Sequence, residues 1–468
     1  MHSTLLPPRA WAQLEFGIAD LGDKRRNKRL VQVGLGLAQC PTGTLPQSFN
    51  HWTDLKAAYR FFDNPHINYQ NILAPHSDRT IQSCLEPGEY LFIDDTTDLD
   101  YSSHRNCTGL GQIGNEYGRG LCLHTTLAVR VEAWDLNHCP EITLEGVLGQ
   151  RCWARRGPSR RKSKERWRKR LERERESEKW AESLQRLPNR PAGVSWIYVA
   201  DRESDVYEAF ERCLARGVNF IIRAKNDRTL VQEDQPLFKT VAAAPVLGCF
   251  EVQVRGRENR TARTAKVEIR AVSVVLKGAW RPGGQRPDLK INVVEAREIA
   301  PPAGEDPIHW VLLTDLPAQT FEQARRIVAR YAKRWTVEEY HKALKSGANV
   351  EKSELENAER IKPLVAVLSV VAVRLLNTKL LARADPQRPV DEERFGREAL
   401  QILSAHFGLP QGGWRYGNLF TAIARLGGFL ARRRDGDPGW ITIWRGWRRL
   451  MTMAEGVITL NQGSKSCG

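Results

Sequence analysis

Residues 195–225 place an apolar run, an amphipathic helix and a second apolar run in direct succession. The first run is SWIYVAD, the helical stretch ESDVYEAFERCLARG closes at Gly217, and the second run is NFIIRAK. This β-α-β order predicts parallel strands joined by a crossover helix. It therefore places the chain in the α/β class.

Strand-like segments precede and follow this unit. Three runs predict successive strands: a short apolar run at 89–97 that ends in carboxylates, and two runs rich in β-branched residues at 121–134 and 141–148. Residues 226–308 alternate apolar and polar side chains between polar turns, which predicts an inserted, mostly antiparallel β module. The run WVLLTDLP at 310–317 then predicts another apolar strand.

Helical segments flank the predicted sheet. The pattern of residues 1–70 predicts short helices that include a basic stretch, DKRRNKRL. The pattern of residues 377–468 is also helical and basic. Apolar faces around Leu400–Leu403 and Leu419–Leu430 fit either a contact between two subunits or an ordinary intrachain core. We expect an N-terminal helical domain over 1–70, an α/β core over 71–376 and a C-terminal helical domain over 377–468.

The chain carries a large excess of positive charge. Its 71 Lys and Arg residues against 55 Asp and Glu residues give a formal net charge of +16. This surplus attracts polyanions, so nucleic acid is the first partner to consider. Within the very basic segment Arg155–Arg190, a helix is expected over Lys164–Leu187, with either a solvated or a DNA-contacting face.

Cysteine and apolar patterns bear on the compartment. The nine cysteines include no CxxC pair, so a thiolate metal site is not expected. No secretory signal is visible, and we expect a cytoplasmic protein with reduced cysteines. The longest strongly apolar run, Leu364–Val373, ends at Arg374 after about half of the length that a membrane span needs, which favours a buried helix.

Three carboxylates stand out by position. Asp95 and Asp201 are expected at strand ends, and Glu338 in a single long helix, Phe321–Lys345. Ligands collect at strand ends, and converging carboxylates repel one another unless a hard cation such as Mg²⁺ neutralises them. Two such ions can activate a nucleophile on one side of a phosphodiester and stabilise the leaving oxygen on the other. The alternative is that turns simply tolerate acidic residues at strand ends.

One face of the predicted helix combines side chains suited to phosphate. At about 100° per residue, Tyr331, Arg334, Glu338 and Lys345 share an arc of about 60°. A cation beside a metal-binding Glu can hold a phosphate and orient the carboxylate. A surface salt bridge between Arg334 and Glu338 is the alternative.

These residues fall into three motifs: Asp95-Thr96-Thr97, Asp201-Arg202-Glu203-x-Asp205, and Tyr331-x₂-Arg334-x₃-Glu338-x₆-Lys345. Together they resemble the DDE transposases of insertion-sequence family four, and the likeness runs from about residue 11 to 376. The resemblance implies an RNase H-like catalytic core interrupted by the β insertion, an N-terminal DNA-binding region, and C-terminal helices that pair two protomers.

The resemblance also implies roles for individual residues. Asp95, Asp201 and Glu338 match the catalytic metal-binding triad, which implies two Mg²⁺ ions per site, with Mn²⁺ as a substitute. Neighbouring strand residues point to opposite faces, so only one of Asp94 and Asp95 can join the site, and the family motif favours Asp95. Trp310 matches a residue on which a flipped base stacks; alternatively it is a core residue. The residues expected to contact DNA are Arg25, Arg26, Lys28, Arg29, Arg223, Lys225, Trp310, Tyr331, Arg334, Lys342 and Lys345.

The activity that the resemblance implies is cut-and-paste transposition. Such an enzyme binds transposon ends in double-stranded DNA, nicks them with water, forms and opens a hairpin, and joins the ends to target DNA. The resemblance also implies that the protein acts as a homodimer on DNA, at the nucleoid of a bacterial cytoplasm and without a membrane partner. Two rivals stay open: a nuclease of the same fold without strand transfer, and an inactive or domesticated DNA-binding regulator. The three intact carboxylates favour an enzyme.

Overall fold

The computed structural model describes residues 6–40, 44–49, 51–114, 117–135, 138–155, 176–231, 235–254, 262–281, 284–432, 435–436 and 438–465. The basic stretch 156–175 lies outside the described residues, together with most of the helix expected over Lys164–Leu187. The rest of that prediction is wrong, because residues after 175 form two short 3₁₀ turns, Glu176–Lys179 and Glu182–Arg186. Ala181 between them has a φ of 57°, which interrupts any continuous helix.

Ten strands of the described chain form one sheet, and two more form a small hairpin. The order in the large sheet is β2-β3-β1-β5-β6-β12-β11-β8-β7, and β4 also pairs with β3. The bounds are β1 Gly88–Asp100, β2 Gly111–Ile113, β3 Gly118–Trp134, β4 Pro140–Trp153, β5 Val194–Ala200, β6 Asn219–Arg223, β7 Val246–Val254, β8 Arg263–Leu276, β9 Trp280–Arg281, β10 Gly284–Gln285, β11 Leu289–Glu298 and β12 His309–Thr314.

Helices pack against this sheet and against one another. Their bounds are α1 Pro8–Phe16, α2 Lys24–Gln39, α3 Trp52–Phe62, α4 Tyr69–Ser83, α5 Tyr207–Ala215, α6 Leu237–Ala243, α7 Phe321–Ala332, α8 Trp335–Lys342, α9 Ala358–Ala384, α10 Glu392–Phe395, α11 Arg397–Phe407, α12 Tyr416–Leu426 and α13 Trp440–Lys465. The domain limits expected at residues 70 and 376 stay predictions.

The predicted β-α-β unit is confirmed. β5 runs parallel to β1, β6 runs parallel to β5, and α5 lies between β5 and β6 in the chain. The β1–β5 register extends from Gly88 opposite Val194 to Asp94 opposite Ala200. The residues that come directly after this paired stretch are Asp95, still within β1, and Asp201, which follows β5, so the parallel pairing brings them to the same end of the paired strands.

The expected β insertion is antiparallel, but it is not a separate module. β7 pairs with β8, β8 with β11 and β11 with β12, all in antiparallel orientation. Because β12 also pairs with β6, these strands extend the central sheet. Val294 of β11 and Leu312 of β12 are fully buried in the same core as Ile93 of β1. Continuous hydrogen bonding and a shared core therefore unite the two parts.

The single helix expected over Phe321–Lys345 is wrong. After α7 the backbone hydrogen bonds join residues that are three apart instead of four. Arg334 N donates to Tyr331 O at 2.9 Å, and Val337 N donates to Arg334 O at 3.1 Å. α8 follows, and the chain then widens into a π-helical turn, Ala343–Gly347. A uniform helical wheel therefore does not describe the relation of Tyr331 to Lys345.

A buried ionic cluster joins the N-terminal helices to the sheet. His76 Nδ1 of α4 lies 2.8 Å from the Glu15 carboxylate of α1, and Arg79 contacts the same carboxylate. Burial alone would raise the pKa of Glu15, but the contacts with His76 and Arg79 outweigh it and lower the pKa to about 2. His76 Nε2 accepts a hydrogen bond from Val147 N of β4 at 3.0 Å. α1 and α4 are thereby fixed to the core.

The apolar side chains of the C-terminal segments are mostly buried in the core of the protein. Leu364–Val373 belongs to α9 and is buried, which confirms the expected helix. By length and composition Ala358–Arg383 could cross a membrane, but most of its apolar window is buried in the protein. Leu400–Leu403 and Leu419–Leu430 contribute Leu400, Leu403, Leu419 and Leu426 to the core, whereas Leu430 is 64% exposed. The structure thus favours an intrachain core for these faces.

Candidate active site

Asp95 lies inside β1, at the point where the pairing with β5 ends. The expected position at a strand end is therefore wrong: β3 is longer than β5 and pairs with β1 as far as Asp100. The Asp95 Oδ1 atom accepts a hydrogen bond from Thr96 N at 2.8 Å. Asp94 faces the opposite side of the sheet and is completely buried, as expected from strand alternation.

Asp201 follows β5 and begins the 3₁₀ turn Arg202–Ser204. Its Oδ1 atom accepts hydrogen bonds from Arg202 N at 2.8 Å and from the Tyr331 hydroxyl at 3.2 Å. The Arg223 guanidinium of β6 lies 3.8 Å from the same oxygen. Three elements that are far apart in sequence, β5, β6 and α7, therefore meet at one carboxylate.

Arg334 lies between all three predicted carboxylates. Its Nη2 atom donates to Glu338 Oε1 at 2.7 Å and lies 3.8 Å from Asp201 Oδ2, while Nη1 lies 3.8 Å from Asp95 Oδ2. The Arg334 side chain is only 8% exposed. The pair of Arg334 and Glu338 is thus part of a four-residue cluster and not a surface salt bridge.

Burial and neighbouring charges raise the pKa values of two residues in this cluster. Burial raises the pKa of Asp95 to about 6, with a further upward contribution from Glu338, although Thr96 N and Arg334 act in the opposite direction. Burial, followed by Asp201, also raises the pKa of the Tyr331 hydroxyl well above its usual range. Negative charge in this cluster therefore needs a positive partner, which Arg334 supplies here.

The three carboxylates fit a divalent metal by chemistry. Across the part of the chain that the structure describes, no three His, Cys, Asp or Glu side chains are placed as a ready-made metal site. The triad instead surrounds the Arg334 guanidinium. Its six carboxylate oxygens are the hard donors that Mg²⁺ and Mn²⁺ prefer, so Asp95, Asp201 and Glu338 are the residues that would hold such ions.

The residues expected at the DNA divide into two groups. Near the carboxylates lie Arg223, Tyr331, Arg334 and Trp310, whose ring packs edge-on against the Tyr331 ring at 5.0 Å. Lys225 and Lys342 are exposed, and Lys345 lies 3.4 Å from Glu351. Contact of any of these residues with DNA stays a prediction.

The four basic residues expected at DNA in the N-terminal region all belong to α2, on a different part of the fold. Arg25 is almost fully exposed and pairs with Asp23, and Lys28 is exposed. Arg29 forms an ion pair with Asp54 at 3.0 Å, and Arg26 donates to the Leu21 carbonyl at 2.9 Å. Arg26 and Arg29 therefore also stabilise the fold.

Sequence reasoning assigned no role to Asp205, the last residue of the second motif. Its carboxylate is buried and accepts hydrogen bonds from Lys225 N at 2.8 Å, Asn226 N at 3.0 Å and Arg228 Nε at 2.9 Å. It fixes the loop after β6, beside Arg223 and Lys225. The spacing of four residues from Asp201, across a short turn, is the signal that could have suggested this role.

The sequence motifs also did not predict a groove that lies beside Trp310. Its volume is about 740 Å³, and its walls include Phe250, Ile308, Phe321 and Val328. These side chains come from β7, α7 and the segment before β12. Their distance along the chain explains why no single sequence motif revealed the groove.

Two segments of the chain match models of known protein families. Residues 8–67 match the family described as transposase DNA-binding. Residues 171–366 match the family described as transposase DDE domain. The chain carries a transposase DDE domain. This domain includes Asp201, Arg334 and Glu338, whereas Asp95 lies before the start of the match. The two matches together support a DNA transposase, an enzyme that acts on DNA and whose domain class uses divalent metals.

Proposed function

We propose that this protein is a cut-and-paste DNA transposase of insertion-sequence family four. It binds transposon ends, cleaves them through a hairpin intermediate and joins them to target DNA. The observation that supports this proposal is the convergence of Asp95, Asp201 and Glu338 on Arg334, in a chain with two transposase domains. An inactive regulator that only binds DNA has no need of three carboxylates that repel phosphate.

Asp95, Asp201 and Glu338 would hold two Mg²⁺ ions, or Mn²⁺ in their place. When bound, such ions activate the attacking oxygen and stabilise the leaving oxygen of a phosphodiester. Arg334 lies beside all three carboxylates and Arg223 lies beside Asp201. Both carry guanidinium groups, which match phosphate oxygens in a two-pronged geometry. We therefore assign both arginines to the scissile phosphate, with the Tyr331 hydroxyl holding Asp201 in orientation.

The decisive test is a donor DNA that carries the inverted repeats flanking the coding region of this protein. Incubation with purified protein and Mg²⁺ is expected to give nicked ends, hairpin ends and products joined to a target plasmid, in that order. Cleavage without joining would favour the nuclease, and binding without cleavage the inactive regulator. The Glu338→Gln protein serves as the control for contaminating nucleases.

Trp310→Ala is expected to leave the first nick within about threefold of wild type and to slow hairpin formation by about tenfold or more. A tight hairpin requires an extruded base, and stacking on an aromatic ring contributes about 1–3 kcal/mol. The groove of about 740 Å³ beside Trp310 offers space for such a base. Quenched time courses on a labelled end separate the two steps.

The control for this variant is Trp280→Ala, which removes an exposed indole from the hairpin of β9 and β10. It is expected to change neither step. Equal slowing of nicking and hairpin formation by Trp310→Ala would instead assign Trp310 to the core, where its ring supports Tyr331.

End binding is expected to depend strongly on salt, because Lys and Arg release counterions from phosphates. The double variant Arg25→Ala with Lys28→Ala is expected to lower the slope of log affinity against log salt by about 0.9 per lost contact. These two residues are exposed, so their removal leaves the contacts of Arg26 and Arg29 intact. Arg397→Ala, an exposed site on α11, is the control. An unchanged slope in the double variant would exclude this face of α2 from the DNA interface.

A further inference from the structure

A buried polar network lies on the opposite face of the sheet, directly behind the two aspartates of the candidate active site. Its centre is Asp94, which is completely buried. The Asp94 carboxylate accepts hydrogen bonds from the Thr126 hydroxyl at 2.6 Å, the Tyr198 hydroxyl at 2.7 Å and Ala181 N at 3.0 Å. The donors belong to β3, β5 and the segment between the two 3₁₀ turns, so one carboxylate connects three parts of the core.

One branch of the network leads to Asp95. His124 Nε2 lies 3.2 Å from Asp94 Oδ2, and His124 Nδ1 lies 3.0 Å from the Thr96 hydroxyl. Thr96 N in turn donates to Asp95 Oδ1 at 2.8 Å. His124 is 3% exposed and packs edge-on against the Trp180 ring at 4.9 Å. The side chains of Asp94 and Thr96, which flank Asp95 in β1, are thus both in contact with His124 on the face of the sheet opposite Asp95.

A second branch leads to Asp201. The Tyr198 hydroxyl, besides its bond to Asp94, lies 3.0 Å from the Ser204 hydroxyl. Ser204 N donates to the Asp201 carbonyl at 3.0 Å, which closes the 3₁₀ turn that starts at Asp201. Tyr198 and Ser204 are both completely buried. Asp94 and Tyr198 therefore connect the strand of Asp95 with the turn of Asp201.

We infer that Asp94 and Tyr198 are positioning residues that set the separation of Asp95 and Asp201 for metal binding. The inference rests on the proposed function, because it takes these two aspartates as metal ligands. Neither Asp94 nor Tyr198 reaches the site itself, since both side chains lie on the other face of the sheet. Outer residues that orient ligands change metal affinity by about 10- to 100-fold when they are replaced.

Tyr198→Phe is the sharpest test, because it removes one hydroxyl and no charge. We expect the dissociation constant for Mn²⁺, measured on the DNA-free protein by electron paramagnetic resonance, to rise about tenfold. The Mg²⁺ concentration needed for half-maximal cleavage is expected to rise in parallel, with end binding unchanged. Thr126→Val is expected to act in the same direction, whereas Thr126→Ser retains the hydroxyl and is expected to stay near wild type.

Tyr90→Phe is the matched control. Tyr90 is also a buried tyrosine of the same hydrophobic cluster, but its hydroxyl donates to the Ser83 and Glu86 carbonyls, away from Asp94. Equal Mn²⁺ binding by Tyr198→Phe and Tyr90→Phe proteins, with Asp95→Asn still abolishing it, would overturn the positioning role alone. Unchanged Mn²⁺ binding in Asp95→Asn and Asp201→Asn proteins would overturn the metal site and this inference together.

Discussion

Replacing Glu338 with Gln is expected to lower metal-dependent cleavage of a DNA end by about a thousandfold or more. Gln keeps the shape of the side chain but removes the charge that faces Arg334 and would hold a metal ion. Bound metal contributes several kcal/mol to phosphoryl transfer, and each 1.4 kcal/mol corresponds to about a factor of ten. Asp95→Asn and Asp201→Asn are expected to have the same effect. Cleavage of a labelled end in Mg²⁺ measures the loss, and a gel shift is expected to show end binding within a few-fold of wild type.

The adjacent residue provides a matched control for this experiment. Glu339 belongs to the same helix, but its carboxylate contacts Lys379 at 3.3 Å and Arg383 at 3.4 Å, both on α9. Glu339→Gln removes the same charge one position away and is expected to leave cleavage within a few-fold of wild type. Wild-type cleavage by the Glu338→Gln protein, or an equal loss in Glu339→Gln, would exclude Glu338 from the reaction.

A mixture of two variant proteins is expected to regain cleavage at a salt concentration at which neither variant cleaves DNA alone. One carries Glu338→Gln and an intact α2; the other carries Arg25→Ala with Lys28→Ala and an intact carboxylate cluster. If the active form is a dimer in which one subunit binds the end that the other subunit cuts, the mixed dimer contains one productive combination. We expect one cleaved end per complex, up from background with either protein alone. Denaturing gels count the cleaved ends, and differently sized fusions identify the mixed dimer on DNA.

The arrangement of defects provides the control. A single chain that carries all three substitutions, mixed with wild type, is expected to form dimers in which no end bound by the wild-type subunit is cut by the variant. Inactive mixtures in which mixed dimers demonstrably form on DNA would mean that each subunit cuts the end that it binds. That result would contradict catalysis between subunits and leave the carboxylate cluster unaffected.

The sequence by itself determined the parallel strand unit and the identity of the central acidic residues. Two apolar runs of strand length on either side of an amphipathic helix predict two parallel strands, because a crossover helix connects strands that run in the same direction. Strand alternation placed Asp94 and Asp95 on opposite faces of the sheet, since a shift of one residue reverses the face, and the resemblance to the family motif favoured Asp95. The motif around Glu338 placed Tyr331 and Arg334 within one or two helical turns of it, close enough for local spacing to be informative.

Only the tertiary structure decided how these pieces meet. The tightened turn at Arg334 and the π-helical turn after α8 flank a helix that packs against the sheet and α9, and they interrupt the single helix on which a uniform helical wheel placed Lys345. The pairing of β11 with β12 made the β insertion part of the central sheet, and intrachain packing buried most of the C-terminal apolar faces. Long-range pairing and burial are set by partners far away in the chain, which local propensity does not encode. For the same reason, the position of Arg334 among three carboxylates and the network of Asp94 behind them became visible only in three dimensions.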